Sequence, residues 1–270
     1  MIEIINLSKT FNQGTVNEVK ALCGINCAIA EGSFVVLLGT NGSGKSTLLN
    51  AVAGNFFPDA GQILLDGMDI TRMPEHKRAK YIGRVFQNPF SGTAPDMSIA
   101  ENLSLAAKRG KFRNLGWALP KTSIREFRER LKPLNMGLED RLDNTIGKLS
   151  GGQRQALTLL MAAWIKPKLL LLDEHTAALD PRTAIKVIQM TKEIVLKDHL
   201  TTLMVTHSMQ QAVNMGDRIL MLHNGRIVFD FREQEKQRLK SQDLLALFDE
   251  IRQKDQIDPG IAEMINQQYV

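Results

Sequence analysis

Phe34-Val35-Val36-Leu37-Leu38-Gly39-Thr40-Asn41-Gly42-Ser43-Gly44-Lys45-Ser46-Thr47 is an apolar run that breaks into glycines and ends on a lysine and two hydroxyls. An unbroken apolar run of this length suits a strand buried on both faces, as in the middle of a parallel sheet. Residues 39–46 fit G-x-x-x-x-G-K-[ST], the P-loop or Walker A pattern. Residues 45–53 then have helical spacing, with Leu48, Leu49 and Val52 on one face and Gly54 as the stop. Strand, loop and helix in this order make a phosphate cradle. Gly39, Thr40, Asn41, Gly42, Ser43 and Gly44 wrap an anion with backbone N–H groups, and the helix N-terminus adds a favourable field. Lys45 is expected to reach the β- and γ-phosphates of a nucleotide, Ser46 to ligate Mg²⁺, and Thr47 to add a phosphate contact.

Downstream, Leu169-Leu170-Leu171-Leu172 reads as a second buried strand and delivers Asp173-Glu174 to the edge where open α/β sheets bind ligands. Asp173 fits an outer Mg²⁺ carboxylate, and Glu174 is placed to orient or deprotonate an attacking water. Taken alone, an acidic strand end serves as readily as a helix cap. The phosphate loop upstream turns it into a catalytic pair.

Between the two lies Leu149-Ser150-Gly151-Gly152-Gln153, and the order of the three motifs resembles that of ABC transporter ATP-binding subunits over residues 1–230. The resemblance implies an α/β P-loop NTPase (RecA-like) core with an antiparallel β subdomain and an inserted α-helical subdomain over residues 88–167. Residues 231–270 would follow as a C-terminal helical tail. Family roles then fall on matching positions. Gln87 resembles the glutamine that contacts Mg²⁺ and water and hinges the helical part to the core. Ser150, Gly151, Gly152 and Gln153 resemble the signature that caps the ATP held by the other subunit. Asp180 matches a loop crossing the dimer interface, and His207 a histidine that senses the γ-phosphate. Phe11 resembles the aromatic residue on which adenine stacks, with an ordinary packing role as its alternative. His175 departs from the proline usual after the catalytic glutamate and reads as a tolerated turn substitution, with titration or a hydrogen bond beside the site as its alternative.

What the resemblance implies is an ATPase that uses ATP and Mg²⁺ and closes as a head-to-tail homodimer in ATP. That motion would drive separate membrane permease subunits, fed by a separate substrate-binding protein, and the segment 88–101, with Phe90 and Met97, would meet a short permease helix. His175 together with the basic stretch 108–113 resembles importer ATPases for amino-acid-like substrates, aromatic ones included. Rival readings are an exporter or lipid-handling ATPase, or a non-transport ABC ATPase of DNA repair, ribosomes or an enzyme complex. Against the last stand a single motif set and the lack of a long coiled-coil insert.

The chain of 270 residues is 43% hydrophobic and 23% charged, the make-up of a globular protein with room for a sizeable core. Its longest weakly polar stretch, residues 156–165, falls far short of the roughly 20 apolar residues that span a bilayer. Residues 1–7 lack the basic start and apolar block of a secretory signal, so the expected place is the cytoplasm, peripheral on the inner membrane face through the permease. The two cysteines, Cys23 and Cys27, alternate with Ile25 and Ile29 and are expected to share one core-facing side of a strand as reduced thiols. The net charge of +5 gathers largely in residues 108–132, read as a solvated helix face or as a surface near anionic lipid headgroups or a permease loop, helped by Phe112 and Trp117. Nucleic acid is not expected, because no recognition motif accompanies the charge. Further strands are expected at 2–7, 21–30, 63–65, 81–86, 168–173 and 200–206, and helices at 98–107, 122–134, 150–165, from 181, and at 208–215. A hairpin is expected around Asn224-Gly225, and two amphipathic tail helices are expected to be parted by Asp258-Pro259-Gly260.

Overall fold

The structure, a computed structural model, describes residues 1–111 and 121–256. It opens with β1 (Ile2–Phe11) and β2 (Val19–Ile29), then β3 (Phe34–Gly39), α1 (Lys45–Ala53), β4 (Ala60–Leu65), β5 (Met68–Asp69), α2 (Glu75–Arg78) and β6 (Ile82–Val85). A helical stretch carries α3 (Ile99–Ala107), α4 (Lys121–Leu131) and α5 (Gly151–Ala163). Strand and helix alternate again in β7 (Leu169–Asp173), α6 (Pro181–Asp198), β8 (Thr202–Val205), α7 (Met209–Asn214), β9 (Arg218–His223) and β10 (Arg226–Arg232), before α8 (Glu233–Arg238) and α9 (Ser241–Gln256).

The strands form two sheets, an antiparallel one in the order β2-β1-β4-β5 and a six-stranded one in the order β10-β9-β3-β8-β7-β6. In the larger sheet only β10 runs antiparallel to its neighbour. The apolar run of β3 is buried throughout because both of its faces are covered. Successive side chains point to opposite faces, so Val35 and Leu37 join one core while Val36 and Leu38 join another. The first core brings in Ile2, Ile4 and Ile63 from the antiparallel sheet with Leu48, Leu49 and Val52 from α1. The second brings in Leu157 of α5, Met190 of α6, Leu103 of α3 and Phe127 of α4. Each of these two layers buries a face of the central sheet, which is what fixes β3 in place.

Strand order also assembles the site. Because β3, β8, β7 and β6 are parallel neighbours, the segments that follow them emerge side by side at one edge. Those segments carry the glycine loop, His207, Glu174 and Gln87. The helices expected at 45–53, 98–107 and from 181 form with those starts or within a residue of them, helped by a capping box in which Ser98 and Glu101 bond each other's backbone N–H.

One expectation changes. Ile25, Cys27 and Ile29 do share a buried face, but Cys23 is only half-buried and Leu22 takes the core position beside it. The pairing with β1 slips between Leu7 and Lys9, with Gly24 at the irregularity, so the alternation skips a place there. Burial pushes the Cys27 thiol pKa up, as suits a reduced core residue. In the tail, α8 and α9 are parted at Leu239-Lys240, where the Asp243 carboxylate accepts the Lys240 N–H at 2.8 Å and starts α9. The expected break at 258–260 lies outside the described residues, as do Phe112 and Trp117 of the basic stretch.

Within that stretch, Arg125 and Arg128 lie on an exposed face of α4, while Phe127 and Leu131 are buried. Two other arginines reach backbone carbonyls. Arg109 Nη2 donates to the Ala162 carbonyl at 2.8 Å, and Arg130 Nη1 donates to that of Trp164 at 3.0 Å while its guanidinium lies 4.2 Å from the Trp164 ring centroid. Both guanidiniums thus serve the carbonyl end of α5, where positive charge is favourable. Arg78 does the same for α1: fully buried, it donates to the carbonyls of Ala51, Val52, Thr71 and Met73.

Candidate active site

The loop after β3 is built on backbone contact that side chains would prevent. A Cβ on Gly39 would lie 2.4 Å from the Leu222 carbonyl oxygen, and one on Gly44, whose φ is +101°, would lie 2.4 Å from that of Ala21. The β9–β10 turn braces the loop from outside: Gly225 N–H donates to the Ser43 carbonyl at 3.0 Å, and Cys23 N–H to the Gly225 carbonyl at 2.9 Å. Lys45 is buried, and its ammonium donates to the carbonyls of Gly39 at 2.9 Å and Thr40 at 2.8 Å. Burial lowers its pKa, with the charges of Glu174 and Asp173 opposing the shift. Asn41 and Gly42 are exposed at the loop's tip, Ser46 is exposed and Thr47 half-buried at the start of α1.

Three of the expected residues meet on one carboxylate. Glu174 Oε1 lies 2.6 Å from His207 Nε2, and Glu174 Oε2 accepts from Gln87 Nε2 at 3.4 Å. A carboxylate only accepts, so this contact assigns the proton to His207 Nε2. The Glu174 backbone is in the left-handed region at φ +42°, and its N–H donates to the Val205 carbonyl at 3.0 Å. Asp173, one position earlier, is 3.4 Å from Arg84 Nη2, which also donates to Asn50 Oδ1 on α1 at 2.7 Å. Arg84 lies 4.5 Å from the Phe86 ring as well, and so joins the Asp173 carboxylate to the segment entering Gln87. Nothing in the motif pattern marks Arg84.

His175 is more than a turn substitution. It is 2% exposed, and its Nε2 lies 3.0 Å from Thr191 Oγ1 on α6. The Thr191 hydroxyl gives its own proton to the Val187 carbonyl at 2.8 Å, so His175 donates from Nε2. Burial holds its pKa down at about 4.

Ser150 caps α5, accepting from Gln153 N–H at 3.3 Å while Gln153 Oε1 accepts from Ser150 N–H at 3.2 Å. Ser150 and Gly151 are exposed, and Gly152 lets α5 and α6 approach, since a Cβ there would lie 2.1 Å from Thr183 Cγ2. Asp180 caps α6 through Thr183 N–H at 3.1 Å. The next residue after the signature, Arg154, is buried, donates to the carbonyls of Ile146, Gly147 and Leu149, and lies 3.6 Å from the Phe90 ring centroid. Gln155 reaches the Phe86 carbonyl at 3.5 Å, so the signature helix and the Gln87 segment are tied at two points. Phe11 packs edge-on to Phe56 at 5.4 Å, with the Lys9 ammonium 5.6 Å from both rings.

The ABC transporter family profile matches residues 22–177, which contain both the loop and the carboxylates. The chain belongs to that family. It is 43% identical to a tyrosine transport ATP-binding protein of Clostridioides difficile (strain R20291), over 92% of this chain and 99% of that one. It is 38% identical to a probable sulfate/thiosulfate import ATP-binding protein of Chlorella vulgaris, over 84% and 89% of the two chains. A spermidine/putrescine import ATP-binding protein of Spiroplasma citri is 35% identical, but this chain spans only 60% of its length. Among solved structures, a dimeric post-hydrolysis ATP-binding cassette bound to ADP and Pi superposes with a TM-score of 0.73 at 30% identity, over 86% of this chain and 98% of that one. An ABC transporter cassette in its ADP conformation gives 0.74 at 26% identity, over 98% of each chain. The ABC subunit therefore has the P-loop ATPase fold of its relatives and is an ATP-binding ATPase of a transporter.

The donors present suit Mg²⁺. Among the described residues no three His, Cys, Asp or Glu side chains gather to hold a metal unaided. Asp173, Ser46 and Gln87 offer hard oxygen donors of the kind Mg²⁺ takes when substrate phosphates complete its shell.

His175 gives the ABC subunit an acid-sensitive fold. Its pKa is about 4 when folded and about 6.5 when free, so below pH 6.5 the unfolded chain binds the extra proton and stability falls with pH. The full effect is about 3 kcal/mol, reached near pH 4. Urea unfolding at stepped pH should show this loss between pH 6.5 and 4 in the parent and a flatter profile in His175→Asn. Equal slopes in the two proteins would remove His175 as the cause.

Proposed function

We propose that this ABC subunit is the energy-coupling ATPase of an importer for a small amino-acid-like solute, aromatic amino acids included. Support for the substrate class comes from the tyrosine transport relative, which is similar over nearly its whole length. In this reading the subunit lies on the cytoplasmic face, held to the membrane by separate permease subunits that a substrate-binding protein supplies. No helix among the described residues is long and apolar enough to cross a membrane. The observation that carries the reading is the Glu174 carboxylate, bonded by both His207 and Gln87 at the sheet edge that also holds the Lys45 loop.

Lys45 supplies positive charge to the β- and γ-phosphates, and the backbone N–H groups of residues 39–44 orient them. Ser46, Asp173 and Gln87 would hold Mg²⁺ when it binds with ATP, and the ion would supply positive charge to the phosphate oxygens. Glu174 orients the water and takes its proton, while His207 and Gln87 fix that carboxylate and the γ-phosphate region. Phe11 is the stacking surface for adenine, for which its half-buried place at the end of β1 leaves a face available. The exposed Ser150 and Gly151, with Gly152 and Gln153 behind them, bind the ATP of a second copy, and Asp180 borders that interface. The dimeric cassette among the structural relatives supports such a pairing.

Closure reaches the permease through a groove of about 280 Å³ beside Gln87, lined by Phe86, Leu105, Arg109 and Met161. Leu105 is 48% exposed there, an apolar surface suited to a short permease helix. Phe90, at 44% exposure, also packs on Arg154 and is the less clean probe of docking.

Glu174→Gln should bind ATP with near-parental affinity yet hydrolyse it about 100-fold more slowly or worse, leaving a dimer that persists in ATP on size exclusion. Turnover at the parental rate would remove Glu174 as the base. Leu105→Glu should keep the melting temperature and ATP affinity of the isolated subunit while losing co-purification with the permease and transport. Normal recovery of the permease with normal transport would place the docking surface elsewhere.

A further inference from the structure

Gln211, on α7, uses both ends of its side-chain amide. Nε2 donates to Thr176 Oγ1 at 3.2 Å, and Oε1 accepts from Thr206 Oγ1 at 2.8 Å. Thr176 is 7% exposed and lies two positions after Glu174; Thr206 is 4% exposed and immediately precedes His207. Thr206 Oγ1 also accepts the Ser208 N–H at 3.1 Å, and Ser208 Oγ accepts the Gln211 N–H at 3.2 Å, which closes the start of α7 back onto the same loop. One side chain therefore fastens the loop after β7 to the loop after β8. These are the two loops that present Glu174 and His207 to each other at 2.6 Å.

The fastening matters because the β7–β8 ladder ends here, its last bond running from the Glu174 N–H to the Val205 carbonyl at 3.0 Å, and beyond it side chains hold the two loops together. Glu174 is in the left-handed region at φ +42°, uncommon for a residue with a Cβ, and such a conformation persists where its surroundings determine it from several sides. On the α6 side the determining contact is His175 to Thr191. On the α7 side it is Thr176 to Gln211.

We propose that Gln211 is a positioning residue for ATP hydrolysis, setting the separation of Glu174 and His207 without touching nucleotide. The inference rests on the reading of Glu174 as the base. It carries a specific chemical signature. Leucine at this position keeps much of the bulk and removes both hydrogen bonds. Glutamate accepts from both threonine hydroxyls, each of which has a proton to give, and so keeps the bridge.

The test uses the full chain and compares Gln211→Leu, Gln211→Glu and Glu174→Gln for kcat, KM for ATP, equilibrium ATP affinity and melting temperature. Gln211→Leu should lower kcat about tenfold or more with KM and ATP affinity within twofold of the parent, because the Lys45 loop is untouched. Gln211→Glu should restore most of kcat. Thr176→Val should lower kcat as well, and combining it with Gln211→Leu should cost less than the product of the two single effects. A parental kcat in Gln211→Leu, or a loss in kcat and ATP affinity together that Gln211→Glu does not rescue, would overturn the proposal while an inactive Glu174→Gln left the base assignment standing. Parental turnover in Glu174→Gln would overturn the base assignment and this inference with it.

Discussion

An ammonium group lowered into protein needs oxygen around it, and the Lys45 ammonium finds that oxygen in the carbonyls of its own loop at Gly39 and Thr40. That arrangement demands a loop whose backbone curls tightly enough for its carbonyls to point inward. Gly39 and Gly44 permit the curl by lying against the carbonyls of Leu222 and Ala21, where any side chain would collide. The loop in turn needs a fixed starting point, and β3 provides one because its two faces are committed to two separate cores. With β3 fixed, its parallel neighbours bring Glu174, His207 and Gln87 to the same edge. The grouping of these residues is in that sense a consequence of how β3 is fixed and where Lys45 is buried.

From that edge, contacts run outward in two directions. Toward the helical stretch, the Arg154 guanidinium on Phe90 and the Gln155 amide at the Phe86 carbonyl join the signature helix to the segment around Gln87. A displacement of Gln87 would therefore be felt at Ser150, the N-cap of α5. Toward the tail, Lys236 Nζ donates to the Val213 carbonyl at the end of α7, and Leu244 of α9 is fully buried. The helix that follows His207 is thus clasped by the C-terminal helices.

The glycine loop, the paired carboxylates and the buried strands beneath them were legible in the sequence because each is a local pattern with one physical meaning. Gln87 and His207 became legible only through the family resemblance, since a lone glutamine or histidine at a strand end carries little signal. Arg84, Arg154 and Gln211 left no trace, because their roles depend on partners far along the chain: Asp173, Phe90 and Thr176. His175 looked like a substitution in a turn and proved to be a buried neutral ring, a difference set by the position of Thr191 on α6. Cys23 was misplaced by a slip in the pairing of β1 with β2, which a strict two-residue alternation cannot represent.

In the proposed dimer each ATP is held between the Lys45 loop of one copy and the Ser150 face of another. This can be tested by mixing two disabled chains, Lys45→Ala and Ser150→Arg, and measuring ATP turnover and ATP bound per dimer. Each variant alone has no complete site, but a mixed dimer has one, made from the loop of the Ser150→Arg chain and the signature of the Lys45→Ala chain. The account predicts that mixing restores ATP-dependent dimers holding one ATP each, together with turnover that neither variant shows by itself. A mixture that dimerises and turns over no better than the sum of its separate parts would contradict it.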